Sequence, residues 1–295
     1  GNDQSGLASA AVVPPQSVRR VEFARLLAFA ANSILGRLAL GALSIDPASY
    51  TLVRLITGAT TLWIIARWHQ VDSPKTSAST WTSGAMLFLY AVTFSFAYIS
   101  LSTGTGALIL FASVQITMIG VGFYRGERPR LTEWLGLFVA IIGLIYLVSP
   151  GITAPSPLGS LLMGTAGVAW GVYSLLGGGA KDPVMTTSGN FLRTVPMALI
   201  ILIPWLSSLS ITPKGFLWAA LSGSITSAIG YVIWYAALRG LTATLAATVQ
   251  LSVPVIAAFG GVVFMSEQLT SRLIASGTTI LAGVGLAIWS HRGRN

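Results

Sequence analysis

The chain has 295 residues, of which 54% are hydrophobic and only 8% charged, with a mean hydropathy of +0.77. A soluble domain carries roughly a quarter charged residues, so water is the wrong solvent for most of this sequence. The net charge of +9 does not indicate a nucleic-acid partner, because the cations are scattered singly through apolar sequence and form no basic run interleaved with aromatics. With no Cys and only His69 and His291, the chain has no thiolate chemistry and little material for a metal cluster. No cofactor is expected.

Gly1 stands at the start of a small, polar, Pro-containing stretch, and residues 1–20 are expected to be a flexible tail. A crossing of the hydrocarbon core takes about 20 apolar residues. Apolar stretches bounded by charges, Pro and polar clusters predict helices over 21–42, 47–67, 81–101, 103–124, 131–148, 157–176, 187–206, 216–238, 241–264 and 271–289. The fold class is thus an all-α membrane protein with ten transmembrane helices, the halves being 21–150 and 151–290 with a short tail at 291–295. Lys and Arg in short loops favour the cytoplasm. With the N-terminus inside, the cytoplasmic segments hold Arg19, Arg20, Arg25, Arg67, Lys75, Arg125, Arg128, Arg130, Lys181, Arg239, Arg292 and Arg294, against Lys214 and Arg272 outside. Both termini are then cytoplasmic.

Residues 101–127 align without a gap to 241–267, matching Leu101/Leu241, Ala107/Ala247, Ile116/Ile256, Gly120/Gly260, Glu127/Glu267 and, beyond, Gly143/Gly283. Asp46-Pro47 followed by Arg54 resembles Asp182-Pro183 followed by Arg193 with a different spacing. An odd number of helices per half forces the second copy to enter from the other side, and the Arg-rich surroundings of Glu127 against the bare ones of Glu267 agree with that inversion. Inverted repeats let two pseudo-equivalent states open to opposite faces around a midplane site.

Polar groups at membrane depth are costly unless paired or lining a wet cavity. Asn32, Gln115 and Gln250 fall near the centres of the first, fourth and ninth helices; each amide serves equally as cavity polarity or as an interhelical bond. Tyr90, Phe94 and Tyr98 recur every fourth residue on one face of the third helix, while Trp170/Tyr173 and Tyr231/Trp234/Tyr235 cluster on the sixth and eighth. Rings can wall a ligand pocket, and Trp63, Trp68, Trp218 and Trp289, near span ends, fit an interfacial belt instead. Arg54 and Arg193, within the second and seventh helices, are expected to snorkel or bind backbone carbonyls, with a grip on a substrate carboxylate as the alternative. Pro254 is a candidate kink inside the ninth helix. No Asp or Glu lies mid-helix, so neutral or zwitterionic cargo fits better than phosphorylated cargo.

Taken together, Asn32, the Asp-Pro…Arg pattern, Gly126-Glu127 with Gly136 and Gly143, Trp170-Gly171, and Glu267 with Gly277 and Gly283 resemble the drug/metabolite transporter superfamily, EamA type. The resemblance spans about Val21 to Trp289, although Ala31-Asn32 departs from a Trp-Gly pair in the first half. It implies a ten-helix basket around a central cavity and export of small metabolites. The ring lining looks most similar to YddG-like exporters of aromatic and other neutral amino acids. The expectation is a monomeric multi-pass protein of the inner membrane, with lipid and a small-molecule substrate as partners. Export of amphipathic drugs is the alternative; a membrane enzyme or a structural subunit would need paired acids or a centre packed shut.

Overall fold

The computed structural model describes residues 16–69, 79–126, 130–238, 250 and 253–292. Its helices are α1 (Gln16–Leu40), α2 (Pro47–His69), α3 (Trp81–Ala97), α4 (Thr103–Tyr124), α5 (Leu131–Val148), α6 (Pro157–Gly177), α7 (Pro183–Leu202), α8 (Pro213–Leu238), α9 (Val253–Met265) and α10 (Ser271–Arg292). Among the described residues there is no strand, only an isolated bridge between Ile45 and Ile211. Six helices, α2 and α4 to α8, are long and apolar enough to cross a membrane, and α1, α3, α9 and α10 supply shorter apolar segments.

Helix starts are set locally. Thr80, Ser102, Ser156, Asp182 and Thr212 each accept a hydrogen bond from the backbone N–H three residues on, which satisfies a donor that the first turn would leave bare. Asp46 does the same for Ser49 N at 2.8 Å. Proline follows the cap in α2, α6, α7 and α8, where its missing N–H costs nothing. These caps start α7 and α8 three or four residues before the predicted 187 and 216, because hydropathy sees the apolar run and not its polar cap. At the other end, α7 tightens into a 3₁₀ segment, Ile203–Ser208. Residues 1–15 of the predicted tail lie outside the described residues, and 16–20 belong to α1. Of the predicted ninth helix, residues 241–249, 251 and 252 lie outside the described residues, as do Glu127 and Arg128.

The bundle is apolar outside and holds a group of polar side chains within a largely apolar core. Phe138, Ile142 and Ile145 of α5, Ile200 of α7 and Phe259 and Phe264 of α9 are exposed, as suits a lipid surround. Arg54, Asn32, Gln115, Asn190, Ser227 and Gln250 are buried. Helix pairs in extensive contact are α5–α10, α3–α6, α2–α7, α4–α6, α2–α8, α4–α9, α3–α7, α1–α9 and α1–α8. Small residues permit these crossings: a Cβ on Gly283 would stand 2.5 Å from Ala140 N of α5.

One end of the bundle is tied three times. Arg37 of α1 pairs with Glu267 at 3.4 Å and donates to the carbonyls of Tyr98 and Ile99. Glu267 in turn accepts from Thr103 N, at 3.0 and 2.8 Å, so its negative charge sits on the N-terminus of α4, where the helix dipole favours it. Asp46 exchanges bonds with Ser210 and Ser44 O accepts from Thr212. Arg272 of α10 donates to the carbonyls of Tyr146, Leu147 and Ser149 at the end of α5.

A candidate substrate chamber

Arg54 stands at the centre of the site. It lies within α2 and its side chain is 1% exposed. Nε donates to Ser227 Oγ at 3.0 Å; Nη2 donates to Tyr231 Oη at 2.7 Å and to Tyr90 Oη at 3.2 Å. Nη1 has no hydrogen-bond partner among the described residues. The guanidinium also lies over the rings of Phe94, 4.9 Å from the centroid, and Tyr90, at 5.2 Å, a cation–π arrangement that partly replaces lost water. It neither reaches an interface nor binds a backbone carbonyl, so the snorkelling expected from sequence does not occur: its acceptors are three hydroxyls on two other helices, α3 and α8.

The Ser227 hydroxyl comes from a locally distorted stretch of α8. Residues Ser222–Ile229 form a π-helical segment, which widens the turn and re-aims side chains. Gly223 makes the approach possible, since a Cβ there would collide with Thr57 and the Arg54 carbonyl. Ser222 and Thr226 donate to Asn32 Oδ1 at 2.7 and 3.1 Å, and Asn32 Nδ2 donates to Tyr90 Oη at 2.9 Å. Tyr231 Oη also donates to Tyr90 Oη, at 3.2 Å.

Rings close around this polar knot. Trp170 lies 4.6 Å from Tyr231, 5.0 Å from Tyr90, 5.4 Å from Tyr173 and 5.6 Å from Phe29, centroid to centroid. Phe29 continues to Phe111 and Trp234, and Tyr173 stacks on Tyr235 at 4.9 Å. Trp170 Nε1 donates to Gln250 Oε1 at 3.4 Å and Trp234 Nε1 to Ser174 Oγ at 3.0 Å. Phe94 passes the ring contact on to Tyr98 at 4.7 Å, next to the Arg37–Glu267 tie.

Thus Asn32, Tyr90, Phe94, Trp170, Tyr173, Tyr231, Trp234, Tyr235 and Gln250 share one connected cluster, and Tyr98 hangs from its edge. Gln115 is buried one turn along α4 from Phe111. Arg193 lies apart: it donates to Ser79 Oγ at 2.8 Å and to Gly189 O at 2.9 Å, near the Trp81 ring. Pro254 lines an outer groove; residues 251 and 252 just before it, which bear on the candidate kink, lie outside the described residues. That groove, about 390 Å³, is lined by Leu108, Pro254, Phe259 and Leu273. It is almost wholly apolar and lies where lipid would. Trp63, Trp68 and Trp289 are exposed, whereas Trp218 packs against the core.

Within the chamber, a cavity bounded by Phe29, Asn32, Ser33, Tyr90, Leu110, Phe111 and Trp170 holds only about 10 Å³, room for one water at most. Residues 241–249, expected to complete the central cavity from the ninth helix, lie outside the described residues. Sequence reasoning missed Phe29, Ser222, Thr226 and Ser227. The run Ser222-Gly223-Ser224-Ile225-Thr226-Ser227 was the available signal, as hydroxyls at membrane depth need partners.

Comparison with known proteins now adds identity to geometry. The profile of the EamA-like transporter family matches residues 157–289. The chain is 44% identical over 270 residues to an uncharacterized protein of Pseudomonas aeruginosa, covering 91% of this chain and 93% of that one. It is 28% identical over 195 residues to the threonine/homoserine exporter RhtA of Escherichia coli strain K12, covering 63% and 64%. A solved crystal structure shares the fold with a TM-score of 0.67 at 18% identity, covering 95% of this chain and 98% of the other. With its helical, apolar segments, the chain is a multi-pass membrane protein that carries an EamA-like transporter domain over residues 157–289.

Proposed function

We propose that this protein exports small neutral amino acids, aromatic ones foremost, from the cytoplasm across the inner membrane by alternating access, as YddG-like exporters do. The observation that carries the reading is the ring-walled chamber around Trp170, crossed by Asn32, Gln250 and Arg54. Rings bury an apolar side chain, and the polar groups orient its backbone end. Similarity to a protein named as a threonine/homoserine exporter supports amino acids as cargo.

The ten helices act as two inverted five-helix halves, α1–α5 and α6–α10. Exchanging each helix with its counterpart five further on turns α3–α6 into α8–α1, α4–α6 into α9–α1 and α3–α7 into α8–α2, while α2–α7, α4–α9 and α5–α10 map onto themselves. A pseudo-twofold packing of this kind supports two states of similar energy that open to opposite faces. With both termini cytoplasmic, the Arg37–Glu267, Asp46–Ser210 and Arg272 ties form the periplasmic gate. Export requires these ties to break while the chamber opens.

Protein reconstituted in liposomes should move labelled Phe, Trp, Thr or Met as a monomer. Replacing Trp170 with Ala or Gln250 with Leu should alter uptake while leaving the purified protein monodisperse. Failure to move any neutral amino acid would overturn the specificity.

A further inference from the structure

Around Tyr90 the donors outnumber the lone pairs that can take them. Three donor groups, Asn32 Nδ2, Arg54 Nη2 and Tyr231 Oη, converge on the single phenol oxygen of Tyr90, which has two lone pairs. Arg54 Nη1 brings two further N–H groups that find no partner among the described residues. The guanidinium is permanently charged, and the ion pair found among the described residues, Arg37–Glu267, lies outside the chamber. A buried cation normally has an anion against it.

Resting on the amino-acid reading above, we propose that Arg54 is the specificity-determining residue of the chamber: it takes the cargo's carboxylate, and the carboxylate rather than the ammonium is what the site recognises. A carboxylate has two oxygens and accepts a forked pair of guanidinium N–H bonds. It would supply the acceptors that Nη1 lacks and relieve the crowding on Tyr90. For an ammonium the site offers ring faces, amide oxygens and neutral hydroxyls, with no acid among the described residues. The chemical class recognised is therefore a small apolar or aryl monocarboxylate, amino acids being the members that also carry an amine.

The test uses the full-length protein. Uptake of labelled phenylalanine into proteoliposomes is challenged with 3-phenylpropionate, which lacks the amine, and with phenylalaninamide, which lacks the carboxylate. In parallel, quenching of Trp fluorescence reports binding of the same two compounds to purified wild-type, Arg54→Gln and Arg54→Lys protein, each checked for monodispersity. Phenylpropionate should compete within about threefold of phenylalanine and the amide at least about tenfold worse, as expected when a charge-assisted bond is lost. Binding of phenylpropionate should vanish in Arg54→Gln and partly persist in Arg54→Lys. Phenylalanine uptake blocked equally by the amide would overturn the inference and leave the exporter reading intact. Absence of amino-acid uptake with Arg54-dependent phenylpropionate binding would do the reverse. Should Arg54→Gln not fold, Tyr231→Phe must weaken phenylpropionate binding while sparing the amide, or the inference fails.

Discussion

Two Asp-Pro turns open α2 and α7, and each helix carries an Arg further along, yet the two arginines live in different worlds. Asp46 and Asp182 cap their helices alike, by accepting from Ser49 N and Met185 N. Arg54 follows its Asp by eight residues (46 to 54) and Arg193 by eleven (182 to 193). Three extra residues carry a side chain about 4.5 Å further along the axis and about 300° around it. Arg54 thereby faces Tyr90, Tyr231 and Ser227 in the buried centre, whereas Arg193 ends beside Trp81 and Ser79, partly exposed, with one bond to its own helix. The Asp-Pro motif sets the helix start in both places. The surroundings of the two arginines diverge beyond it.

The largest effect that could break this comparison is on transport. Arg54→Gln should lower the rate of phenylalanine uptake by at least about tenfold, since bonds to a charged group are worth roughly 1.5–3 kcal/mol each. Arg193→Gln should leave it within about twofold; equal losses in the two would show that the arginines are equivalent after all. Next comes Tyr231→Phe, which removes the shortest bond to Arg54 and a donor to Tyr90. Its uptake should fall about two- to tenfold, less than in Arg54→Gln because the guanidinium remains and keeps its bonds to Ser227 and Tyr90.

Smaller differences belong to the caps and the gate. Asp182→Ala should cost about 1 kcal/mol of stability, read as a lowered melting temperature in detergent. Asp46→Ala should cost more, because its second oxygen also accepts from Ser210 N at 2.9 Å; an equal loss would make Asp46 only a cap. The Arg37–Glu267 pair is partly exposed, so Glu267→Gln should lower stability by no more than about 1 kcal/mol. Because that carboxylate also caps α4, the variant should speed thiol labelling of a cysteine placed at Ser33, behind the gate.

Most helices were legible in the sequence because hydropathy and caps act over a few residues. The starts of α3 to α6 were foreseen within a residue; α7 and α8 began earlier because Asp182-Pro183 and Thr212-Pro213 are polar signals that an apolar window dilutes. Nine of the eleven candidate binding residues fall in one cluster, since an aromatic or amide deep in an apolar span has few places to go. Arg54 was misjudged for a different reason. Whether a mid-helix Arg snorkels depends on what its neighbours offer, and its partners lie 36, 173 and 177 residues away.

By itself, then, the sequence determined a membrane-embedded bundle, the helix starts and a supply of rings and amides for its centre, all set by solvent transfer and by bonds spanning three or four residues. Tertiary structure alone decided that the π-helical turn of α8 presents its hydroxyls to Arg54 and Asn32, and that Arg193 is left apart from them. Those outcomes depend on helix crossings, where a residue as small as Gly223 sets how closely two backbones meet.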